Sequence, residues 1–140
     1  MMELLDEPTL KNSTWWDILL WLSRQRRRFR VTGLSMLPLL QPGDEILVNF
    51  KAYRNQSPQA GEIIVAQHPY KPNTRIVKRV SGVREDGACF LQGDNSAEST
   101  DSRAFGWIHP QQILGRVTSR FLLFTPAEIV KLTVTEKKSS

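Results

Sequence analysis

Glu62-Ile63-Ile64-Val65-Ala66, opened by Gly61 and closed off by Pro69, is a strongly β-prone run with no helical period. The segment after it, Tyr70–Thr74, holds Pro72 and Asn73 and reads as a turn. Arg75-Ile76-Val77-Lys78-Arg79-Val80 then reads as the next strand. Outward from this pair, Ala88–Gln92 predicts a further strand reached through Glu85-Asp86-Gly87, and Glu45–Phe50 predicts one behind the turn Pro42-Gly43-Asp44. Leu114–Phe124 predicts a last, long strand, while Lys51–Ala60 and Gly93–Gly106 are polar and loop-like. The expected fold is mainly β, an antiparallel β domain with one N-terminal helix.

That helix is written in Thr14-Trp15-Trp16-Asp17, a capping box, followed by apolar residues at helical spacing: Trp15, Ile18, Leu19 and Leu22. It is expected from Ser13 to Arg26, and Trp16, Leu20 and Trp21 make it greasy on its other sides as well. The apolar run Trp15–Leu22 has eight positions, Asp17 among them. A spanning helix needs roughly 20, so no transmembrane anchor is expected. The positive cluster follows the run instead of preceding it, which argues against a secretory signal. Tryptophans beside arginines allow peripheral membrane contact; packing on the domain or on a partner is the preferred reading. The expected organisation is residues 1–30 as helix and arginine-rich linker, 31–125 as the main domain and 126–140 as a C-terminal tail, in which Ile129–Val134 can add a strand.

A chain of 140 residues with 40% hydrophobic and 24% charged side chains has the composition of one globular domain. Its net charge of +5 owes much to Arg24, Arg26, Arg27, Arg28 and Arg30. Outside that cluster the charge is nearly balanced, and no nucleic-acid partner is expected. Cys89 is the single cysteine, so no internal disulfide forms, which fits a reducing, cytoplasmic location. His68 and His109 each precede a proline and lack ligand-like spacing to Cys89, so neither a metal nor another cofactor is expected.

Three segments carry candidate chemistry. In Gly33-Leu34-Ser35-Met36-Leu37-Pro38-Leu39, Ser35 is the one small polar side chain on a bent, apolar segment. Such a hydroxyl becomes a nucleophile when a base reaches it, and otherwise bonds its own backbone. In the strand Arg75–Val80, alternation puts Lys78 on one face with Ile76 and Val80. At the ordinary pKa of about 10.4 only about one lysine in a few thousand is neutral at pH 7. Burial among apolar neighbours lowers that pKa and makes the amine a usable base; at a sheet edge it would instead snorkel into water. The third segment, Gly93–Arg103, is rich in hydrogen-bonding groups, and within it Asp101 and Arg103 can pair and a serine can orient an amine.

Together the three segments resemble the type I signal peptidase superfamily of serine proteases with a Ser–Lys dyad. The matching residues are Gly33-x-Ser35-Met36-x-Pro38 with Pro42-Gly43-Asp44, then Ile76-Val77-Lys78-Arg79-Val80-x-Gly82, then Gly93-Asp94-Asn95, Ser99-x-Asp101-Ser102-Arg103 and Gly106. The resemblance implies Ser35 as nucleophile and Lys78 as general base. It also implies that Ser99 orients the lysine, Asp101 and Arg103 brace the catalytic loop, and Met36 helps shape the groove. Substrate would bind extended, as an added strand. Membrane-bound bacterial members often carry an oxyanion-holding hydroxyl where this chain has Gly33. The short form with Gly-x-Ser-Met-x-Pro is most similar to the nickel-type superoxide dismutase maturation proteases. That likeness implies a serine endopeptidase that removes an N-terminal propeptide from a protein substrate, a nickel superoxide dismutase precursor, with the nickel belonging to the substrate.

Other readings remain in play on sequence alone. One is a membrane-peripheral signal peptidase-like enzyme, and another is a non-catalytic domain using its arginine cluster on anionic partners. A self-cleaving repressor would need a helix-turn-helix for which thirty residues with one helix leave no room. A His-based triad is disfavoured, as no Gly-x-Ser-x-Gly elbow occurs.

Overall fold

Apolar residues alternate or run unbroken through the middle of this chain, and both patterns end up buried in one six-stranded sheet. The computed structural model describes residues 10, 12–22 and 26–121. Helix α1 (Trp15–Leu22) leads into β1 (Arg27–Arg30), β2 (Glu45–Asn49), β3 (Ile63–Gln67), β4 (Arg75–Val83) and β5 (Cys89–Gln92). After β5 come a short 3-10 turn, the one-turn helix α2 (Ser102–Phe105) and the last strand, β6 (Ile113–Arg120). The sheet order is β1-β2-β6-β3-β4-β5, and every strand pair is antiparallel.

The quoted run sits at the centre of the sheet, flanked by β6 and β4. Its unbroken hydrophobicity has a plain cause, because both of its faces are core. Ile63 and Val65 pack with Val31, Met36, Leu40 and Ile46; Ile64 and Ala66 pack with Val80, Cys89, Leu91 and Ile108. Burial of this kind is worth about 1.5–3 kcal/mol for each large aliphatic side chain. Cys89 is buried in the second cluster, and loss of hydration pushes its thiol up to about 11. It is a packing residue.

The helix starts where the capping box lies. Thr14 N–H donates to Asp17 Oδ2 at 3.0 Å, and Asp17 N–H donates to Thr14 Oγ1 at 3.2 Å. Among the described residues it covers Trp15–Leu22; the expected end, Arg26, lies outside the helix, and positions 23–25 fall outside the described residues. The arginine-rich linker is also corrected, since Arg27–Arg30 pairs with β2 as an edge strand. Its arginines find partners there: Arg27 over Phe50, Arg28 over Phe121, and both Arg28 and Arg30 on Glu45. The expected tail, 126–140, its added strand and positions 122–124 of the last strand fall outside the described residues. Among the described residues no helix is long and apolar enough to cross a membrane.

One detail of pairing positions the site. β4 pairs with β3 over Arg75–Arg79 but with β5 only from Arg79 onward. On the β5 side, the stretch 75–78 therefore keeps a free strand edge among the described residues.

Candidate active site

Four consecutive residues of β4, Arg75 through Lys78, line a pocket of about 220 Å³ together with Val31, Thr32 and Ser35. Successive side chains of a strand point to opposite faces, so four in a row line one groove where it runs along the strand's edge. Ser35 and Lys78, far apart in sequence, thus meet in one depression. A larger pocket of about 360 Å³, around Tyr53 and Pro110, holds neither of them.

Lys78 is only 5% exposed, and the register places it opposite Ile64 in the second core cluster. Burial lowers the pKa of its amine. Asp101 pulls that pKa back up, and the like charge of Arg103 pushes it down again. The Nζ donates to Ser99 Oγ at 3.0 Å, and Ser99 Oγ donates in turn to Asp101 Oδ2 at 2.9 Å.

The polarity of this chain matters. A hydroxyl has one proton, and here the carboxylate takes it, so Ser99 offers a lone pair to the lysine and receives a hydrogen from it. A neutral Lys78 held in this way keeps its own lone pair for another proton.

Asp101 anchors the arrangement. It is 1% exposed and accepts from the Gly93 N–H (3.0 Å), from Arg103 Nε (2.9 Å) and from Arg103 Nη2 (2.8 Å). Burial works against its ionisation, but these donors, with Ser99 and the Arg103 N–H, hold the carboxyl well below the usual carboxylate range. It also caps α2, accepting from the Arg103 N–H at 3.1 Å.

The Ser35 loop is tied to the same region through its carbonyls. Asn95 N–H donates to Ser35 O at 2.8 Å and Asn95 Nδ2 to Leu34 O at 3.1 Å. Arg79 clamps the neighbouring Asp94 through two bonds of 2.8 and 2.9 Å and donates to Gly61 O at 2.8 Å. Gly93 fits because it has no side chain: a Cβ there would lie 2.6 Å from Ser35 O and would crowd Ser99.

Of the residues singled out in the sequence, Ser35 and Lys78 line one pocket, and Lys78, Ser99, Asp101 and Arg103 form one bonded chain. Gly33 turns the Ser35 loop at φ +82, a conformation that favours glycine. Met36 is 1% exposed in the first core cluster and does not line the pocket, so it supports the wall from beneath. Sequence reasoning missed the bracing by Arg79, Asp94 and Asn95. Their only signal was polarity beside the lysine strand and the order Gly-Asp-Asn.

Residues 18–86 and 84–122 match the family described as "Signal peptidase, peptidase S26". The chain is similar to the mitochondrial ATP-independent inner membrane protease subunit 1b of Arabidopsis thaliana, at 36% identity over 63% of this chain and 65% of that protein. It is also similar to the mitochondrial inner membrane protease subunit 2 of Danio rerio, at 32% identity over 64% of this chain and 60% of that protein. A third relative is the probable signal peptidase I-1 of Synechocystis, at 28% identity over 62% and 66%. The match thus spans 65% and 60% of the first two relatives, under two thirds of their length. These names overturn the expected cytoplasmic location, because they belong to proteases of the mitochondrial inner membrane. A lone cysteine and a short apolar run were the grounds for that expectation, and neither separates a soluble protein from a membrane-associated one. With a match that runs from residue 18 to residue 122, and with a buried strand lysine and a loop serine lining one groove, the chain belongs to the signal peptidase family, peptidase S26.

Proposed function

We propose that this chain is a serine endopeptidase in which Ser35 is the nucleophile and Lys78 the general base, trimming an N-terminal segment from a protein substrate. The observation that carries the reading is a core-facing lysine whose Nζ is held 3.0 Å from Ser99 Oγ, on a groove that also contains Ser35. In the proposed reaction Lys78 takes the Ser35 proton as Oγ bonds to the acyl carbon. The resulting ammonium returns that proton to the departing amine as the C–N bond breaks, and water then releases the acyl group by the same route. The oxyanion is met by the Ser35 N–H, which has no protein acceptor among the described residues. With Gly33 where a hydroxyl often stands, that N–H matters more, since one such donor is worth about 2.7–4 kcal/mol in the barrier. The free edge at 75–78 receives the peptide as an added strand.

Two substrate readings follow. The relatives' names favour a precursor handled at a membrane, whereas the Gly-x-Ser-Met-x-Pro pattern favours a nickel superoxide dismutase precursor, a name none of the relatives above carries. Co-expression of the chain with such a precursor, and separately with a leader-bearing membrane-targeted precursor, followed by intact-mass analysis, tests both. A shortened product is expected from one of them with the native chain and from neither with Ser35→Ala. Equal trimming by Ser35→Ala would remove the nucleophile assignment.

A further inference from the structure

The groove that holds Ser35 and Lys78 has a charged rim. Arg30, at the end of β1, and Arg75, at the start of β4, both line it, and both are exposed. Among the described residues, the rest of the wall is apolar apart from Thr32 and the two site residues, and none that lines it is acidic.

Neither guanidinium is fully used by the protein. Arg30 reaches Glu45 at 3.3 Å, but that carboxylate already takes a 2.9 Å contact from Arg28. One negative charge is shared by two cations. Arg75 lies with Cζ 5.2 Å from the centroid of Phe29 and makes no ion pair among the described residues. Phe29 is itself stacked on Phe50 at 5.8 Å. A guanidinium resting on a fixed ring loses little freedom on binding, and its planar fork matches a carboxylate.

Spacing places this charge relative to the chemistry. Arg75 and Lys78 are three residues apart on one strand, about 10 Å. A peptide paired along this edge, with its scissile carbonyl at Ser35, brings a side chain two to four positions away alongside Arg75. This step rests on the peptidase reading above. We infer that Arg75, helped by Arg30, is a specificity determinant that selects substrates with an acidic side chain within about four positions of the scissile bond. A lipid surface would need these cations on an outward face; they flank a recessed groove, which favours a peptide.

A randomised dodecapeptide library tests the inference in two ways. Products cut by the native chain are sequenced, and peptides retained by immobilised Ser35→Ala protein are sequenced separately. Aspartate and glutamate are expected to be enriched about tenfold over asparagine and glutamine at one or two positions, the scale of one charge-assisted contact. Arg75→Glu should invert the preference to lysine, and Arg75→Lys should keep it. Arg30→Glu should weaken it at a neighbouring position. Both arginines are exposed, so these changes do not tax the core. No acidic enrichment in either readout, or enrichment unchanged in Arg75→Glu, would overturn the inference. If nothing is cut while retained peptides still show the invertible preference, the groove's selectivity stands and the peptidase reading falls. Phosphatidylglycerol vesicles form a further arm: binding lost in the arginine variants alongside a flat peptide profile would assign the rim to lipid and overturn the inference.

Discussion

Lys78→Met is expected to abolish cleavage and to make the protein more stable. The two effects have one cause. The amine is buried among Ile64, Ile76 and Val80, where its charged form is disfavoured, and that cost to the fold is what makes it a base. Methionine has similar length and no charge, so it fills the space without the penalty. Loss of a general base, together with the activation it gives the nucleophile, should lower kcat/KM by at least about 10³-fold.

The sign of the stability change follows from linkage. Burial lowers the lysine's folded-state pKa below the ordinary 10.5. Between those two values the unfolded chain holds a proton that the folded chain does not, so stability rises with pH across that window. Below the window the charged lysine weighs on the native state. Thermal unfolding near neutral pH should therefore show a higher Tm for Lys78→Met than for the native chain, and the alkaline rise in stability should flatten. A lower Tm with activity retained would place the lysine outside both roles.

Gly93→Ala is expected to disable the site from the opposite direction, by adding one methyl group. The new Cβ would lie 2.6 Å from the carbonyl oxygen of Ser35 and press on Ser99. The first of these is backbone and cannot rotate away. Relief must come from moving the Ser35 loop, the 93–103 loop or both. Overpacking of this kind costs about 1–3 kcal/mol of stability. A displacement near 1 Å at reacting groups can cost about 10²-fold in rate. Circular dichroism should report a retained sheet while cleavage falls by that order; activity within about twofold of native would mean that the two loops do not need their close approach.

How much of this was legible beforehand depended on whether the signal was local. The strands at Ile63–Gln67, Arg75–Val83 and Cys89–Gln92 announced themselves through β-branched runs and turn residues, because each buries at least one face. The edge strand Arg27–Arg30 did not. Three arginines around one phenylalanine carry no apolar alternation, and the strand is held by Glu45 and by the rings of Phe50 and Phe121. The helix Ser102–Phe105 was equally silent, since four residues are too few to show a helical period. Burial of Lys78 could be read from its neighbours at 76 and 80. Its partner Ser99, at a sequence separation of 21, was reachable only through the family likeness, because nothing local ties a strand lysine to a loop serine. Gly93, Arg79 and Asn95 stood in the same family motif but without a role, because their work consists of close approaches to other segments, which composition does not record.

A Ser35/Lys78 peptidase requires that the Lys78 amine give up its proton far more readily than an ordinary lysine. The most direct measurement is an NMR titration of the 13Cε resonance of Lys78, assigned by comparison with Lys78→Met, in the Ser35→Ala protein so that no turnover intervenes. A midpoint clearly below the ordinary lysine value of about 10.4 is the predicted result. A midpoint at that ordinary value would contradict the mechanism, since an amine that stays protonated cannot serve as the base.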